Sequence, residues 1–281
     1  MTAETVKALL AKHGLRPNKA LGQNFLVSPA AIEKIIAAMS PSPEDFIIEI
    51  GAGLGALTVP LALKAGRVAA VEIDKALGDV LEKELAAAGL NSAYVARGDF
   101  LRTDLKSVTG KTDKVIKICG SLPYYITTPL IRRIFSSGVN PALAALVMQK
   151  EAADKLVARP GEANYGVLAL ETAYHARVEA VCELPPSCFY PQPGVHSQAV
   201  LLEMLDDPPV KSCKDELFKV IRTAFSTRRK TLANCLSHGL GISRESAAQA
   251  VSRCGLPPGV RGERLSLTDY DNLTKILFDN A

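Results

Sequence analysis

Three groups of residues have types and spacing that could do chemistry. The first is the turn Gly51-Ala52-Gly53-Leu54-Gly55, which follows an apolar run at 46–50 and precedes a helical pattern. Glycines there let the backbone turn tightly and come close to a ligand with no side chain in the way. The second is a pair of acids, Glu72 and Asp99, at the ends of the next two apolar runs; Glu72 lies 21 residues beyond Gly51. A carboxylate at such a strand end can accept both hydroxyls of a ribose. The third is Gly120-Ser121-Leu122-Pro123-Tyr124-Tyr125, which follows a fourth run and so falls at the carboxyl edge of a sheet. Open α/β sheets bind their ligands at that edge. A dinucleotide fingerprint reads G-x-G-x-x-G, whereas the spacing here is G-x-G-x-G with Glu49 two residues ahead of it, which argues against a dinucleotide oxidoreductase.

The glycine spacing resembles the first motif of S-adenosylmethionine (SAM)-dependent methyltransferases. That resemblance implies SAM as cofactor, with Gly51 and Gly53 turning around it, Glu72 accepting from its ribose and Asp99 from its adenine amine. Residues 121–124 resemble the N-L-P-Y motif of enzymes that methylate amino groups of adenine. The N6 lone pair of adenine is delocalised into the ring, so the amine is a poor nucleophile. Acceptors aimed at its N–H groups would localise the lone pair and stabilise the charge that develops during transfer. The resemblance makes the Leu122 carbonyl and the Ser121 side chain those acceptors, with Ser121 also beside the cofactor. Pro123 fixes the turn, and Tyr124 offers a face on which an extruded base can stack. The family usually has Asn where this chain has Ser121 and Tyr125; a serine hydroxyl can still accept, at shorter reach.

The likeness runs through nearly the whole chain. Residues 21–26 (Leu-Gly-Gln-Asn-Phe-Leu) resemble the opening of the rRNA adenine dimethyltransferase family, in which this loop covers SAM, implying cofactor contacts for Gln23, Asn24 and Leu26. Residues 149–152 (Gln-Lys-Glu-Ala) and 165–166 (Tyr-Gly) match further family segments. Residues 189–197 are similar to F-x-P-x-P-K-V-D/N-S, and imply that Phe189 stacks on the far face of the target base. This chain departs from that pattern at Gly194 and His196. Residues 225–232 (Phe-Ser-Thr-Arg-Arg-Lys-Thr-Leu) and 261–267 (Arg-Gly-Glu-Arg-Leu-Ser-Leu) are similar to segments of the bacterial small-subunit (16S) enzymes of the KsgA type. That resemblance implies dimethylation of N6 on two adjacent adenosines in a hairpin near the 3′ end of 16S rRNA, within an immature 30S subunit. Arg228, Arg229 and Lys230 would then grip rRNA phosphates. Two other readings stay open: a macrolide-resistance-type enzyme acting on 23S rRNA, against which the last two segments speak, and a non-catalytic assembly factor for the small subunit.

The elements that must position these residues follow from the hydrophobic pattern. Apolar runs at 46–50, 68–72, 93–96, 115–119 and 143–148 alternate with helical stretches such as 57–63 and 75–88. Doubly apolar strands alternating with helices predict a mostly parallel sheet covered on both faces. Segments 175–183 and 198–205 are expected to extend it as an antiparallel pair, giving a Rossmann-like α/β methyltransferase fold with antiparallel edge strands. The first 40 residues read as helix, loop, helix, with Ser28 as N-cap and Pro29 at the first helical position of the second. Asp74 suits an N-cap better than Glu72 does. Asp206-Asp207-Pro208-Pro209 is a break. It divides the chain into a methyltransferase domain at 1–207, which includes the N-terminal cofactor-covering segment, and a small all-α rRNA-binding domain at 208–281. Helices are expected there at about 215–226, 229–238, 244–254 and 268–279.

Bulk composition narrows the remaining classes. The chain has 281 residues, 48% hydrophobic and 22% charged, the balance of a folded protein rather than a disordered one. No apolar run is long enough to span a bilayer and no secretory pattern opens the chain, so a cytoplasmic protein is expected. The six cysteines form no C-x-x-C pair and the four histidines do not cluster, so reduced thiols and no metal are expected. Net charge is only +4, yet residues 211–264 hold eleven Lys/Arg against four Asp/Glu. A local excess of that sign is the footprint of a nucleic-acid binder or a solvated face. A monomer is expected.

Overall fold

The computed structural model describes residues 1–227 and 229–278. Nine strands and twelve α-helices follow one another along them. The strands are β1 (Phe25–Leu26), β2 (Asp45–Ile50), β3 (Arg67–Glu72), β4 (Ala93–Arg97), β5 (Val115–Ser121), β6 (Leu143–Gln149), β7 (Ala176–Leu184), β8 (Phe189–Tyr190) and β9 (Ser197–Met204). The helices are α1 (Ala3–Lys12), α2 (Pro29–Met39), α3 (Thr58–Ala62), α4 (Lys75–Ala87), α5 (Leu105–Thr109), α6 (Thr127–Phe135), α7 (Lys150–Val157), α8 (Val167–His175), α9 (Lys214–Ala224), α10 (Leu232–Leu240), α11 (Arg244–Arg253) and α12 (Leu267–Phe278).

Seven strands form one sheet in the order β4-β3-β2-β5-β6-β9-β7. β4, β3, β2, β5 and β6 are parallel, and β9 joins β6 antiparallel. The chain builds outward in one direction from β2 to β4, then returns to build the other way from β5. The crevice at the carboxyl ends of β2 and β5 is therefore the topological switch point, where such sheets bind ligands. Every residue of β2 is buried. Ile47, Val68, Cys119, Ala145, Val147 and Ala199 share an apolar cluster with Ile32, Ile35 and Ile36 of α2 and Leu61 of α3. Their strand neighbours Phe46, Ile48, Ala69, Val71, Ile118, Ala144 and Leu146 are equally buried, so both faces of the sheet are covered, as continuous apolar strands require.

Local signals set the element ends. Ser28 Oγ accepts from the Ala31 amide and Pro29 occupies the first turn of α2. Asp74 Oδ1 accepts from the amides of Ala76 and Leu77, capping α4. The buried Asp45 carboxylate lies 2.8 Å from Lys117 Nζ, which also donates to the carbonyls of Met39 and Ser40. That ion pair ties the end of α2 to the starts of β2 and β5. A second, two-stranded ribbon joins distant parts of the chain: β1 and β8 run antiparallel, with Phe25 opposite Tyr190 and Leu26 opposite Phe189.

The chain divides into two compact units, Met1–Ala153 with Arg177–Met204, and Asp154–Ala176 with Leu205–Ala281. The later cut falls near the expected break at 207. The helical stretch 154–176, assigned from sequence to the larger domain, groups with the C-terminal helices. Its Tyr165, Leu170 and Tyr174 share a core with Phe218 and Ile221 of α9, Leu236 of α10, Val251 of α11 and Tyr270 of α12. The Tyr165 hydroxyl donates to the Leu265 carbonyl at 2.6 Å, and that of Tyr270 to Gly262 at 2.9 Å. Among the described residues no helix is long and apolar enough to cross a membrane.

Candidate active site

The glycine turn after β2 is shaped by the end of β3. The Gly51 amide donates to the Val71 carbonyl at 2.9 Å, and the Gly53 amide donates to Glu72 Oε2 at 2.7 Å. Gly53 has a left-handed φ of 55°, a conformation that disfavours other residues. A Cβ there would stand 3.2 Å from the Phe25 ring, so the turn also needs the missing side chain for closeness. Glu72 Oε1 accepts from the Asp74 amide at 2.8 Å. Glu72 is 5% exposed. Burial pushes its carboxyl up, against the backbone N–H groups of Asp74 and Gly53 that hold it down. Both oxygens are thus oriented by one amide each, and each keeps lone-pair capacity for another donor.

Glu49, on β2, is buried and accepts from Thr58 Oγ1 at 2.5 Å. Burial raises its carboxyl to about 8; the Thr58 hydroxyl opposes that rise and the Glu72 charge adds to it. Two clefts meet at the switch point. One lies between Met1, Asn24, Leu26, Glu49, Ala52, Leu57 and Ser121. Its neighbour lies between Gly22, Gln23, Asn24, Gly53, Ser121, Leu122, Pro123 and Tyr124. Asn24, Phe25 and Ser121 line both. The two share a wall at Ser121. The first has a buried carboxylate and apolar walls; the second carries the polar turn.

Ser121 ends β5. The glycine before it is required by packing: a Cβ on Gly120 would come within 2.5 Å of the Ile50 carbonyl oxygen on β2. The Leu122 side chain is buried, and its amide donates to the Val147 carbonyl on β6 at 2.8 Å. The Pro123 carbonyl accepts from the Ile126 amide, and the Thr127 hydroxyl reaches the carbonyls of Pro123 and Tyr124. Among the described residues no hydrogen bond engages the Ser121 hydroxyl or the Leu122 carbonyl, so both acceptors remain available at the cleft. The Tyr124 hydroxyl lies 2.6 Å from Ser197 Oγ, and burial raises the phenol above its ordinary range. The next ring, Tyr125, is exposed and lies against Gly22.

The remaining expected residues are placed unevenly. Asn24 and Leu26 stand in the cleft walls. Gln23 also lines the second cleft, but its amide is committed: Nε2 donates to Asp74 Oδ2 at 2.9 Å and Oε1 accepts from the Asn18 amide at 2.7 Å. It latches the N-terminal loop to the cap of α4. Asp99 follows β4 and stays partly exposed, with Oδ1 accepting from the Leu101 amide at 3.0 Å. Phe189 lines neither cleft. Its ring is 2% exposed and packs with Leu26 and Ile32 in the core cluster, so the face expected to stack on a base is covered. Arg229 and Lys230 are exposed, ahead of α10; Arg228 lies outside the described residues. Sequence reasoning gave no role to Ser197, which closes the 189–197 segment and lies 73 residues from its partner.

SAM fits this arrangement on the structure's own terms. A glycine cradle that a Cβ would fill faces a buried carboxylate with spare acceptor capacity. Comparison with known proteins agrees. The family model for "Ribosomal RNA adenine dimethylase" matches residues 14–277. The chain is 40% identical over 284 residues to "Ribosomal RNA small subunit methyltransferase A" of Pelotomaculum thermopropionicum, covering 98% of this chain and 96% of that protein. It is 38% identical to the protein of the same name from Desulfitobacterium hafniense, covering 96% of each. Among solved structures, a dimethyladenosine transferase from Plasmodium falciparum superposes with a TM-score of 0.77 at 26% identity, covering 91% of this chain and 98% of that one. The chain belongs to the ribosomal RNA adenine dimethylase family, SAM-dependent enzymes that methylate rRNA.

Proposed function

We propose that this protein transfers methyl groups from SAM to N6 of two adjacent adenosines in a hairpin near the 3′ end of 16S rRNA, twice each. The observation that carries the reading is the pair of clefts meeting at Ser121. Gly53, backed by Glu72, lines the second cleft beside the 121–124 turn, so the glycine turn suits the cofactor and the Ser121–Tyr124 turn a flipped base. When bound, SAM supplies a methyl group already activated by its sulfonium. The chain's task is then mainly to position and to stabilise charge. Glu72 would hold the ribose, Asp99 the adenine amine, and Gly51, Gly53, Asn24 and Leu26 the remaining contacts. Gln23 would act by latching the loop that carries Asn24. The Ser121 hydroxyl and Leu122 carbonyl would accept from the N6 amine while Pro123 holds the turn and Tyr124 stacks on the base. Phe189 would stack on the opposite face of the base; in its observed place it is buried in the core cluster at the β1–β8 ribbon.

Arg228, Arg229 and Lys230 would contact rRNA phosphates, in a C-terminal domain whose local charge suits that role. The proposal has the enzyme working in the cytoplasm, as a monomer, on the immature 30S subunit. Support for the small-subunit target comes from relatives named for that subunit, at 36–40% identity across nearly the full length. The test is primer extension on both rRNAs, with mass spectrometry of their nucleosides, after expression in a strain lacking the small-subunit enzyme. Dimethyladenosine in 16S rRNA alone is expected. Modification confined to 23S rRNA would reject the proposal, as would binding of subunits without label transfer from tritiated SAM.

A further inference from the structure

Tyr124 is held at both ends. Its backbone belongs to the turn that Leu122 fastens to β6 through the Val147 carbonyl. Its hydroxyl reaches Ser197 Oγ, 2.6 Å away on β9. Ser197 has no exposed surface and stands opposite Gln149 at the last rung of the β6–β9 ladder. The start of β9 is itself well fixed. The Lys150 amide donates to the His196 carbonyl at 3.0 Å, and Glu183 meets both His196 Nδ1 (2.8 Å) and Lys150 Nζ (3.3 Å). Ser197 lines neither cleft.

A tyrosine held only at Cβ can tilt and swing about two side-chain torsions, the second of them broad. Tethered at the phenol tip as well, it keeps one ring plane. That plane matters only if something must stack on it, and Tyr124 forms part of the cleft wall. A buried phenol also needs a partner for its hydroxyl, and serine is small enough to supply one without filling the cleft. We propose that Ser197 is a positioning residue for methyl transfer: its hydroxyl fixes the plane of Tyr124 against which the target adenine stacks. This rests on the reading of Tyr124 as the base's stacking partner.

The test uses the full chain, undermethylated 30S subunits and tritiated SAM. Wild type is compared with Ser197→Ala, Ser197→Thr, Tyr124→Phe and the Ser197→Ala/Tyr124→Phe double variant. Readouts are kcat, KM for the subunit, SAM Kd and Tm. Loss of one buried hydrogen bond corresponds to about a tenfold effect. Ser197→Ala and Tyr124→Phe should each lower kcat by about that factor, with SAM Kd within about twofold of wild type. Ser197→Thr should recover most of the rate, and the double variant should be no worse than either single one, because both remove the same contact. Tyr124→Phe breaks the bond without touching β9, so it keeps the test valid if Ser197→Ala folds poorly. An unchanged kcat in Ser197→Ala, or losses that multiply in the double variant, would overturn the assignment while leaving the methyltransferase reading intact. Absence of transfer by the wild type would overturn both.

Discussion

Leu26 and Phe189 face each other across a two-stranded ribbon and share one apolar cluster. The pairing joins the loop that carries Asn24 to the segment that follows β7, and seats both beside the cleft. Neither strand has more than two residues, so the ribbon's hydrogen bonds cannot hold it alone. The buried rings and aliphatic chains do. Phe189→Ala should therefore cost about 3–5 kcal/mol of stability, the usual range for truncating a buried phenylalanine. Chemical denaturation measures this. Because Leu26 lines the first cleft beside Asn24, SAM affinity should fall together with stability. A variant of unchanged stability and reduced kcat would instead show that the ring faces substrate.

The ribose contact proposed for Glu72 can be separated from its structural one. Its carboxylate accepts from the Gly53 and Asp74 amides and has capacity left for a ribose. Glu72→Gln keeps one acceptor oxygen and much of the loop geometry, whereas Glu72→Ala removes both. A hydrogen bond to a charged group contributes about 1.5–3 kcal/mol. Calorimetry should show SAM binding weakened about tenfold or more in Glu72→Ala, and less in Glu72→Gln. Equal affinity across the three proteins would remove Glu72 from the cofactor site.

Ser121→Ala tests whether a serine hydroxyl can do what an amide usually does at this position. The hydroxyl lies on the wall shared by the two clefts and has no protein partner among the described residues. Its loss should slow single-turnover transfer by about tenfold, the worth of one hydrogen bond, and change SAM Kd by less. Equal single-turnover rates in the two proteins would leave the Leu122 carbonyl as the acceptor on the turn.

Much of this was legible in the sequence, and the parts that were not share a cause. The parallel strands announce themselves as apolar runs because both their faces are buried, and Asp74 and Ser28 announce helix starts by residue type. Gly53 and Glu72 could be paired by spacing because one lies in the turn after β2 and the other ends the neighbouring strand β3. Ser197 could not, because its meaning lies in a hydroxyl 73 residues away. The same holds for Gln23, whose residue type suits a ligand as well as it suits Asp74. Phe189 reads as an aromatic in a polar motif, yet the ribbon turns it into the core. The helical stretch 154–176 lies on the far side of β7 and β9 from its packing partners in sequence, so no boundary drawn along the chain could assign it.

Glu49 should give the protein a pH dependence of its own. Burial raises its carboxyl from the ordinary 4.5 to about 8, so the folded state prefers the protonated form. A group whose pKa is higher folded than unfolded lends stability that is complete below the unfolded value and is lost as pH rises through the folded one. Stability from this group should fall between about pH 4.5 and pH 8. Glu49→Gln, which stays neutral, should lack that decline. Thermal melts of both proteins from pH 5 to pH 9 check it: the gap in Tm should shift in favour of the glutamine variant as pH rises. Parallel curves would mean that Glu49 is ionised at neutral pH and balanced by something other than Thr58.

The basic segment ahead of α10 makes a claim about salt rather than about geometry. Arg229 and Lys230 are exposed, and eleven Lys/Arg against four Asp/Glu occupy residues 211–264. Phosphate contacts release counterions, so each one lost should reduce the slope of log K against log salt by a little under one. Neutralising residues 228–230 together should weaken binding to 30S subunits at low salt and flatten that slope by about two to three. SAM affinity should not change, since none of the cleft-lining residues is touched. A solvated face without RNA contacts would behave differently: binding would shift with net charge at low salt, but the slope would stay that of the wild type. Measuring the slope rather than a single Kd is therefore what separates an rRNA-gripping segment from a merely soluble one.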